Sequence, residues 1–434
     1  MGLGSIVGTG VFVSIALAAE IAGPAVLLAI VLAAGVATCN ALNSAQLAAS
    51  HPVSGGTYEY GYKYLRPWLG FTAGWMFLCA KTASAATAAL GFTGYLLAAT
   101  GVDPRWLVPV ALGTVAVVAG LVLAGIRQSY RANTVIVSIS FFSLLFFCGA
   151  GTLALLSAET GNLPQFFRRP DAPGSDVWTG GTVSALLHAT ALMFVAFTGY
   201  GRIATLSEEV HDPGRTIPRA ILWTLCLTAL LYVAVGAVLV GTASISTGPG
   251  GPPPWDGTRG EAAPLEAVAA RLGVPGAEQI VTLGALTATL GVSLNLVLGL
   301  SRVLLAMGRR RDMPPAVARI NRAETTPYVA VALVGAAVAG LVLIGSVKVT
   351  WSFSAFTVLI YYAITNLAAL QLAPDQRLYP RGFAWAGLAA CLLLAFWVEW
   401  QIWLFGLGLI LVGILWHAAA TALNRRGRGD GSAP

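Results

Sequence analysis

Long apolar runs follow one another along nearly the whole chain, and they constrain its fold more than any other feature. Hydrophobic residues make up 57% of the 434 residues and charged residues only 10%, so most of the chain cannot face water. A helix needs about 20 apolar residues to cross a bilayer core of about 30 Å. On this basis we predict twelve membrane spans, at residues 2–21, 24–49, 67–99, 106–125, 132–156, 179–207, 217–242, 276–307, 326–346, 351–373, 382–398 and 400–423.

Lysine and arginine residues are distributed unevenly between the loops. If the amino terminus is cytoplasmic, eighteen of the 25 basic residues fall on the inner side, six fall on the outer side, and Lys81 lies within a span. Because such a bias sets orientation, we predict a multi-pass protein of the cell (inner) membrane with both termini in the cytoplasm. Anionic lipid at the inner surface then accounts for the net charge of +7, and we expect no nucleic-acid partner.

The sequence contains no motif of an enzyme or of a cofactor-binding protein. The five cysteines lie singly in apolar runs with no C-x-x-C pair, which is typical of small packing residues. Walker motifs, metal-binding clusters and nucleophile–base pairs are also missing from the sequence. We therefore expect no cofactor, no metal and no enzymatic activity.

Two glycine-rich segments interrupt the apolar helices. The first is G-S-I-V-G-T-G at residues 4–10, and the second is F-T-G-Y-G at residues 197–201. Each glycine in a helix interior costs about 1 kcal/mol relative to alanine, so several within one turn weaken that turn. Unwound backbone cannot face lipid, and it persists only where it lines a cavity and binds something else. Paired breaks indicate a transporter's substrate site; close helix packing through glycine is the alternative.

Both breaks present groups that suit a zwitterionic amino acid. A helix that resumes after a break offers backbone N–H groups to a carboxylate, and a helix that stops there offers carbonyls to an ammonium. The predicted binding residues are Ser5, Ile6 and Val7 as carbonyl acceptors and Gly8, Thr9 and Gly10 as amide donors, then Ala196, Phe197, Thr198 and Gly199 as carbonyl acceptors, with Phe194, Phe197 and Tyr200 as apolar walls or a lid.

Four motifs, in order along the chain, resemble signatures of the amino acid permeases in the amino acid–polyamine–organocation (APC) superfamily. They are G-S-I-V-G-T-G-V-F at 4–12, P-V-S-G-G-T-Y-E-Y at 52–60, E-E-V-H-D-P-G-R-T-I-P-R at 208–219 and S-R-V-L-L-A-M-G-R at 301–309. The resemblance implies an all-α polytopic membrane protein of about twelve helices with a five-plus-five inverted repeat. In this leucine-transporter-type fold, helices 1 and 6 are broken, two C-terminal helices are added, and access to a midplane site alternates.

The position of the breaks and the span count divide the chain into two halves. We expect residues 1–156 to form the first inverted repeat (helices 1–5), 179–373 the second (helices 6–10), 382–423 helices 11 and 12, and 424–434 a basic cytoplasmic tail. The resemblance also implies about a dozen residues before the first break, so helix 1 is expected to be truncated at its amino end.

Two positions depart from the family pattern and bear on coupling. Many proton-coupled members carry a lysine in span 5, where this chain has Ser140. Lys81, within span 3, is instead a candidate for replacing that cation, for neutralising a substrate carboxylate or for disfavouring cationic substrates. The alternative is a lysine that snorkels or bonds a structural carbonyl.

Other ionisable residues carry weaker predictions. His188 in span 6 is assigned to helix packing, with gating or protonation as the alternative. Glu208 and Glu209 are candidates for inner-gate ion pairs with Arg302 or loop arginines, and solvated loop charges are the alternative. Glu399 lies near an outer helix end and is expected to be wetted.

These features predict a secondary active transporter that moves a neutral amino acid by proton symport or by exchange. A cationic amino acid or a polyamine is the alternative substrate. An amino acid sensor, or a membrane subunit with a transporter-like fold and no net transport, is the alternative class of function. The expected partners are the amino acid, membrane lipid and a co-transported proton, and the sequence predicts no oligomeric state.

Overall fold

Helices account for all the regular structure of the described residues. The computed structural model describes residues 6–51, 53, 55–125, 130–157, 180–201, 213–247, 262–321 and 326–429. The α-helices in these ranges are α1 (Ile15–Ala22), α2 (Val26–Ser50), α3 (Thr57–Tyr64), α4 (Pro67–Thr100), α5 (Leu107–Leu123), α6 (Tyr130–Ser157), α7 (Gly180–Phe197), α8 (Pro213–Thr247), α9 (Pro264–Ala269), α10 (Ala277–Arg309), α11 (Tyr328–Val342), α12 (Val347–Leu370), α13 (Arg381–Ala395) and α14 (Trp400–Gly429).

The helices agree with the predicted polytopic membrane protein. Nine helical segments of the described chain are long and apolar enough to cross a membrane. The first of them, Gly10–Ser50, is divided at Gly23, whose φ of +56° is readily adopted only by glycine, and so comprises two helices. The shorter apolar helices α11 and α13 complete a set that matches the predicted twelve spans.

Two helices begin four residues before the predicted spans. The seventh and tenth spans are predicted to begin at residues 217 and 351, but α8 begins at Pro213 and contains Pro218, and α12 begins at Val347. Pro213 takes the first helical position, where a missing N–H costs least, so Pro218 falls in the second turn.

Helix α4 lies at the centre of the helix packing. It contacts α3, α5, α10, α11, α12 and α14. Its middle reads A-K-T-A-S-A-A-T-A-A from residue 80, and most of these small residues are buried. Small side chains allow membrane helices to approach closely, so α4 holds Lys81 within the protein rather than against lipid. Helix α14, by contrast, exposes large apolar side chains along its length, as a lipid-facing helix does.

Buried amides connect three of these helices. Asn43 of α2 donates to Asn366 of α12 at 2.8 Å, and Asn366 donates to Asn40 of α2 at 2.6 Å. Asn40 in turn donates to the Cys391 sulfur of α13 at 3.2 Å. Because satisfied polar networks fix one arrangement of a core, these hydrogen bonds hold α2, α12 and α13 together. All three helices contact α7.

Candidate functional site

The first predicted break is a distorted segment of buried helix. Val7 and Gly8 form a bend, and Gly10–Ser14 then winds as a π-helix before α1 begins. The N–H groups of Val11 and Phe12 both donate to the Gly8 carbonyl, at 3.1 and 3.3 Å. π-helical turns such as Gly10–Ser14 are rare and occur often at functional sites. The irregular backbone therefore lies where the glycine pattern predicts it.

The second predicted break contains a tightened helical turn. Helix α7 stops at Phe197, and Thr198–Tyr200 continues as a 3₁₀ turn. The side chains of Phe194, Phe197, Thr198 and Tyr200 are all buried. A tightened last turn redirects backbone carbonyls away from the regular helix pattern, which makes them accessible to other donors.

The two breaks contact each other directly at Gly10. A Cβ placed on Gly10 would lie 2.7 Å from the Ala196 Cβ and 2.9 Å from the Ala196 Cα. Gly8 is equally close to α10, since a Cβ there would lie 2.4 Å from a methyl of Val292. Both glycines therefore allow close helix packing, which was the alternative to a substrate site in the sequence analysis. The same packing brings the two irregular segments together.

Tyr232 of α8 connects the same two segments through its hydroxyl group. The hydroxyl donates to the Ile6 carbonyl at 2.8 Å and lies 3.3 Å from the Ala196 carbonyl. Its ring packs 5.0 Å from the ring of Phe197. The side chain is fully buried, so one tyrosine fixes the spacing of both breaks. Sequence reasoning missed Tyr232, although it is a lone tyrosine within the apolar run of α8.

Lys81 reaches the second break from the middle of α4. Its ammonium donates to the Thr198 hydroxyl at 2.9 Å, and that hydroxyl donates to the Val195 carbonyl at 2.8 Å. Ser140, the other predicted coupling residue, donates to the Ile136 carbonyl of its own helix at 2.8 Å and lies 3.4 Å from the Gly284 carbonyl of α10. The structure thus places a positive charge at the second break and a neutral hydroxyl between α6 and α10.

The Tyr362 ring of α12 packs against the second break. The rings of Phe194 and Tyr200 each lie 5.6 Å from the ring of Tyr362. The Tyr362 hydroxyl also lies 3.5 Å from the Thr198 carbonyl. On the side of the first break, the buried Thr9 hydroxyl has no hydrogen-bond partner among the residues that the structure describes. An unpaired buried hydroxyl on the first break and packed aromatic rings on the second suit a ligand with one polar and one apolar end.

The predicted inner-gate residues are only partly described. Ser5 of the first break and the two acids Glu208 and Glu209 lie outside the described residues. Arg302 is exposed near the end of α10, where it lines an open cleft of about 370 Å³ with Arg309 and Arg310. The acid that pairs with Arg310 is Glu59 of α3, at 2.7 Å.

A buried carboxylate ties the loop helix α3 to the end of α10. The hydroxyls of Tyr58 and Tyr62 both donate to Asp312 Oδ2, at 2.5 and 2.6 Å. The Arg310 guanidinium lies over the Tyr62 ring, 4.0 Å from its centroid. Burial, together with the hydrogen bonds to Asp312, raises the pKa of both tyrosines, so both remain donors at neutral pH. Sequence reasoning missed this cluster, for which the only signal was the run Y-E-Y-G-Y at 58–62.

These observations define the class of protein. It is an all-α polytopic membrane protein in which two distorted helix segments meet within the helix bundle, beside a lysine and several aromatic rings. The family model described as amino acid permease matches residues 1–427, and the chain belongs to the amino acid permease family. The family assignment supports amino acid transport by this chain.

Several transporters of other organisms are similar in sequence to this chain. An uncharacterized transporter of Mycobacterium tuberculosis is 37% identical over 428 residues, which is 99% of this chain and 91% of the relative. The branched-chain amino acid permease of Bacillus subtilis is 26% identical over 96% of this chain and 90% of its own length. A vacuolar cationic amino acid transporter of Arabidopsis thaliana is 27% identical over 88% of this chain and 60% of its own length.

Proposed function

We propose that this chain is a secondary active transporter that moves a neutral amino acid across the cell membrane by alternating access. The observation that carries the proposal is the direct contact of the two breaks at Gly10 and Ala196, beside Lys81 and Thr198. An amino acid carries a carboxylate and an ammonium about one backbone unit apart. Two distorted helix segments in contact offer amides and carbonyls at a similar separation.

In this proposal the first break binds the carboxylate. The amides of Gly8 and Thr9 precede the π-helix and that of Gly10 begins it, at the positive end of the helix dipole that continues into α1. The unpaired Thr9 hydroxyl supplies a further donor. Backbone donors fix the position of a carboxylate whatever the side chain of the amino acid is, so this end of the site carries no side-chain specificity.

The second break binds the ammonium, and the aromatic residues bind the side chain. Carbonyls from Ala196 to Gly199 accept from the ammonium, with the predicted Ile6 and Val7 carbonyls opposite. The Tyr232 hydroxyl occupies the Ile6 carbonyl and stands near that of Ala196, so substrate binding requires this hydroxyl to share or release its acceptors. Phe194, Phe197 and Tyr200 form an apolar wall that favours a neutral, apolar side chain.

Lys81 discriminates against cationic substrates in this account. Its ammonium lies 2.9 Å from the Thr198 hydroxyl, at the break that would accept the substrate ammonium. Two positive charges 4 Å apart repel by about 4 kcal/mol at an effective dielectric constant of 20. Every amino acid meets this repulsion through its α-ammonium, and a cationic side chain adds a second repulsion that disfavours it. A neutral substrate agrees with the name of the Bacillus subtilis branched-chain amino acid permease rather than with that of the Arabidopsis thaliana cationic amino acid transporter.

The two proposed repeats, residues 1–156 and 179–373, would each contribute one break to the site. Movement of one repeat against the other would then expose the site to each side of the membrane in turn. The lysine and arginine bias supports cytoplasmic termini in the cell membrane. The Tyr58–Tyr62–Asp312 cluster and the Glu59–Arg310 pair would hold the inner side in one of its two arrangements.

Counterflow in proteoliposomes tests this proposal. The purified protein is reconstituted into vesicles loaded with unlabelled leucine, and the entry of external radiolabelled leucine is followed, with alanine, phenylalanine, arginine and putrescine as competitors. We expect entry above that of protein-free vesicles and competition by neutral amino acids. Binding of leucine without entry would identify a sensor and contradict transport. Stronger competition by arginine or putrescine than by neutral amino acids would contradict the proposed substrate class.

A further inference from the structure

His188 of α7 and Glu399 form an acid–base pair away from the second break. His188 Nε2 lies 3.4 Å from Glu399 Oε2, in the link between α13 and α14. Both of these atoms are buried, although 15% of the His188 side chain and 33% of the Glu399 side chain remain exposed. The contact between the two side chains is therefore shielded from bulk water, while protons can reach the parts of both side chains that remain exposed.

Helix α7 connects this pair to the candidate substrate site. His188 lies eight residues before Ala196, or about 12 Å along a regular helix. One turn beyond His188, the Leu192 carbonyl accepts a hydrogen bond from the Trp351 indole of α12 at 3.0 Å. Because the intervening segment is continuous helix, a displacement of α7 at the second break also displaces His188 relative to Glu399.

The Glu399 carboxylate places a negative charge beside the imidazole of His188. Burial raises the pKa of Glu399, but the interactions with His188 and with its own backbone amide outweigh burial and lower that pKa to about 2. Glu399 is therefore anionic at neutral pH, and its carboxylate faces Nε2 of His188.

Few other ionisable groups on the helices packed against α7 compete for this role. Lys348 of α12 pairs with Glu20 of α1 at 3.6 Å, so their charges compensate each other. Cys391 of α13 is fully buried and contacts Asn40. Lys81 contacts Thr198 at the second break, and Thr198 lies more than one helical turn beyond His188 along the chain.

We propose that His188 and Glu399 form a proton-binding site that couples the transport proposed above to a proton gradient, and this inference rests on that transport function. A proton from the outer solution binds Nε2 of neutral His188, and the resulting imidazolium pairs with the Glu399 carboxylate. When α7 moves and separates the pair, the imidazolium loses its counter-ion, so its proton affinity falls and the proton returns to water. One N–H bond forms and later breaks, and no other bond changes.

Two transport measurements on the same vesicles test the pair. The purified full chain is compared with His188→Gln and Glu399→Gln, and Glu20→Gln serves as a matched control that removes another carboxylate from the outer side. Leucine counterflow is measured at equal pH, and leucine accumulation is measured with an acidic exterior. Because loss of a stabilising charge partner shifts a proton affinity by at least about tenfold, we expect both pair variants to lose about tenfold or more in accumulation and to keep counterflow within about twofold. Glu20→Gln should keep both activities.

The outcomes separate the two proposals. A wild-type protein without counterflow would contradict the transport function itself. Counterflow without proton-driven accumulation in the wild-type protein would overturn the proton site alone, as would full accumulation by His188→Gln. Loss of counterflow together with accumulation in both pair variants would assign the pair a structural role and would also overturn the inference.

Discussion

Gly10 of the first break packs against Ala196, the residue before the second break, so closely that the space between them cannot hold another methyl group. A Cβ on Gly10 would approach the Cα of Ala196 to 2.9 Å and the Tyr232 hydroxyl to 3.1 Å. A backbone atom cannot move aside as a flexible side chain can. The distance between the two breaks is therefore set by the absence of a side chain at residue 10.

Gly10→Ala should separate the breaks and abolish most transport. Overpacking a closely packed position costs about 1–3 kcal/mol, so we expect leucine counterflow to fall by about tenfold or more. The matched control is Gly35→Ala on α2, where a Cβ would meet no atom within 4 Å. Equal counterflow by the two variants, at equal amounts of protein in the vesicles, would show that the contact has no role.

Tyr232→Phe should weaken the connection between the breaks and α8. Removal of the hydroxyl leaves the buried Ile6 carbonyl without this donor, and an unsatisfied buried polar group costs about 1–3 kcal/mol. We expect a lower melting temperature in detergent than for Tyr328→Phe, which alters an exposed tyrosine at the start of α11. Identical melting temperatures for the two variants would contradict this role.

The sequence was sufficient to predict much of this architecture. Apolar length predicted the number of spans, because the bilayer thickness fixes how many residues a spanning helix needs. Glycine clustering predicted both distorted segments, because glycine weakens helices locally. These predictions depend on properties of the chain within one or two helical turns.

Contacts between distant helices were beyond the reach of the sequence. Nothing local to Tyr232 indicates that its hydroxyl meets the Ile6 carbonyl, 226 residues away. Glu399 was expected to be wetted, yet its contacting oxygen is buried against His188, because the link between α13 and α14 packs on α7. Likewise, the described acid that pairs with the end of α10 is Glu59, bound to Arg310, whereas the acids predicted to form the inner gate are outside the described residues. Such pairings follow from helix packing, which one sequence does not encode in any short pattern.

Lys81→Met should relax the discrimination against cationic amino acids. The variant removes a positive charge beside Thr198 while keeping a side chain of similar length. Because like charges at this distance repel by about 1–4 kcal/mol in partly polar surroundings, we expect arginine to compete with leucine at least about tenfold better than in the wild-type protein.

Lys348→Met is the control for this change, since Lys348 lies in the first turn of α12 and pairs with Glu20. The measurement is the ratio of the inhibition constants of arginine and leucine in counterflow. An unchanged ratio in Lys81→Met would remove Lys81 from the specificity of the site.

The stability of the protein should depend on Glu399 in acid. Its pKa is lowered from 4.5 to about 2 in the folded protein, so the ionised carboxylate stabilises the fold above pH 4.5. This contribution is lost as the pH falls through the folded pKa, because the folded state must then take up the proton. We expect the wild-type protein to melt above Glu399→Gln at pH 4.5 and the difference to shrink as the pH approaches about 2. A difference independent of pH over this interval would contradict the paired carboxylate.

Competition by fragments of the substrate tests the central claim most directly. Leucine, 3-methylbutylamine (which lacks the carboxylate) and 4-methylpentanoate (which lacks the ammonium) are compared as inhibitors of radiolabelled leucine counterflow. If the two breaks bind the two charged groups, each fragment loses hydrogen bonds to a charge worth about 1.5–3 kcal/mol and should inhibit about 10- to 100-fold less well than leucine. Inhibition by either fragment as strong as that by leucine would contradict a site built from both breaks.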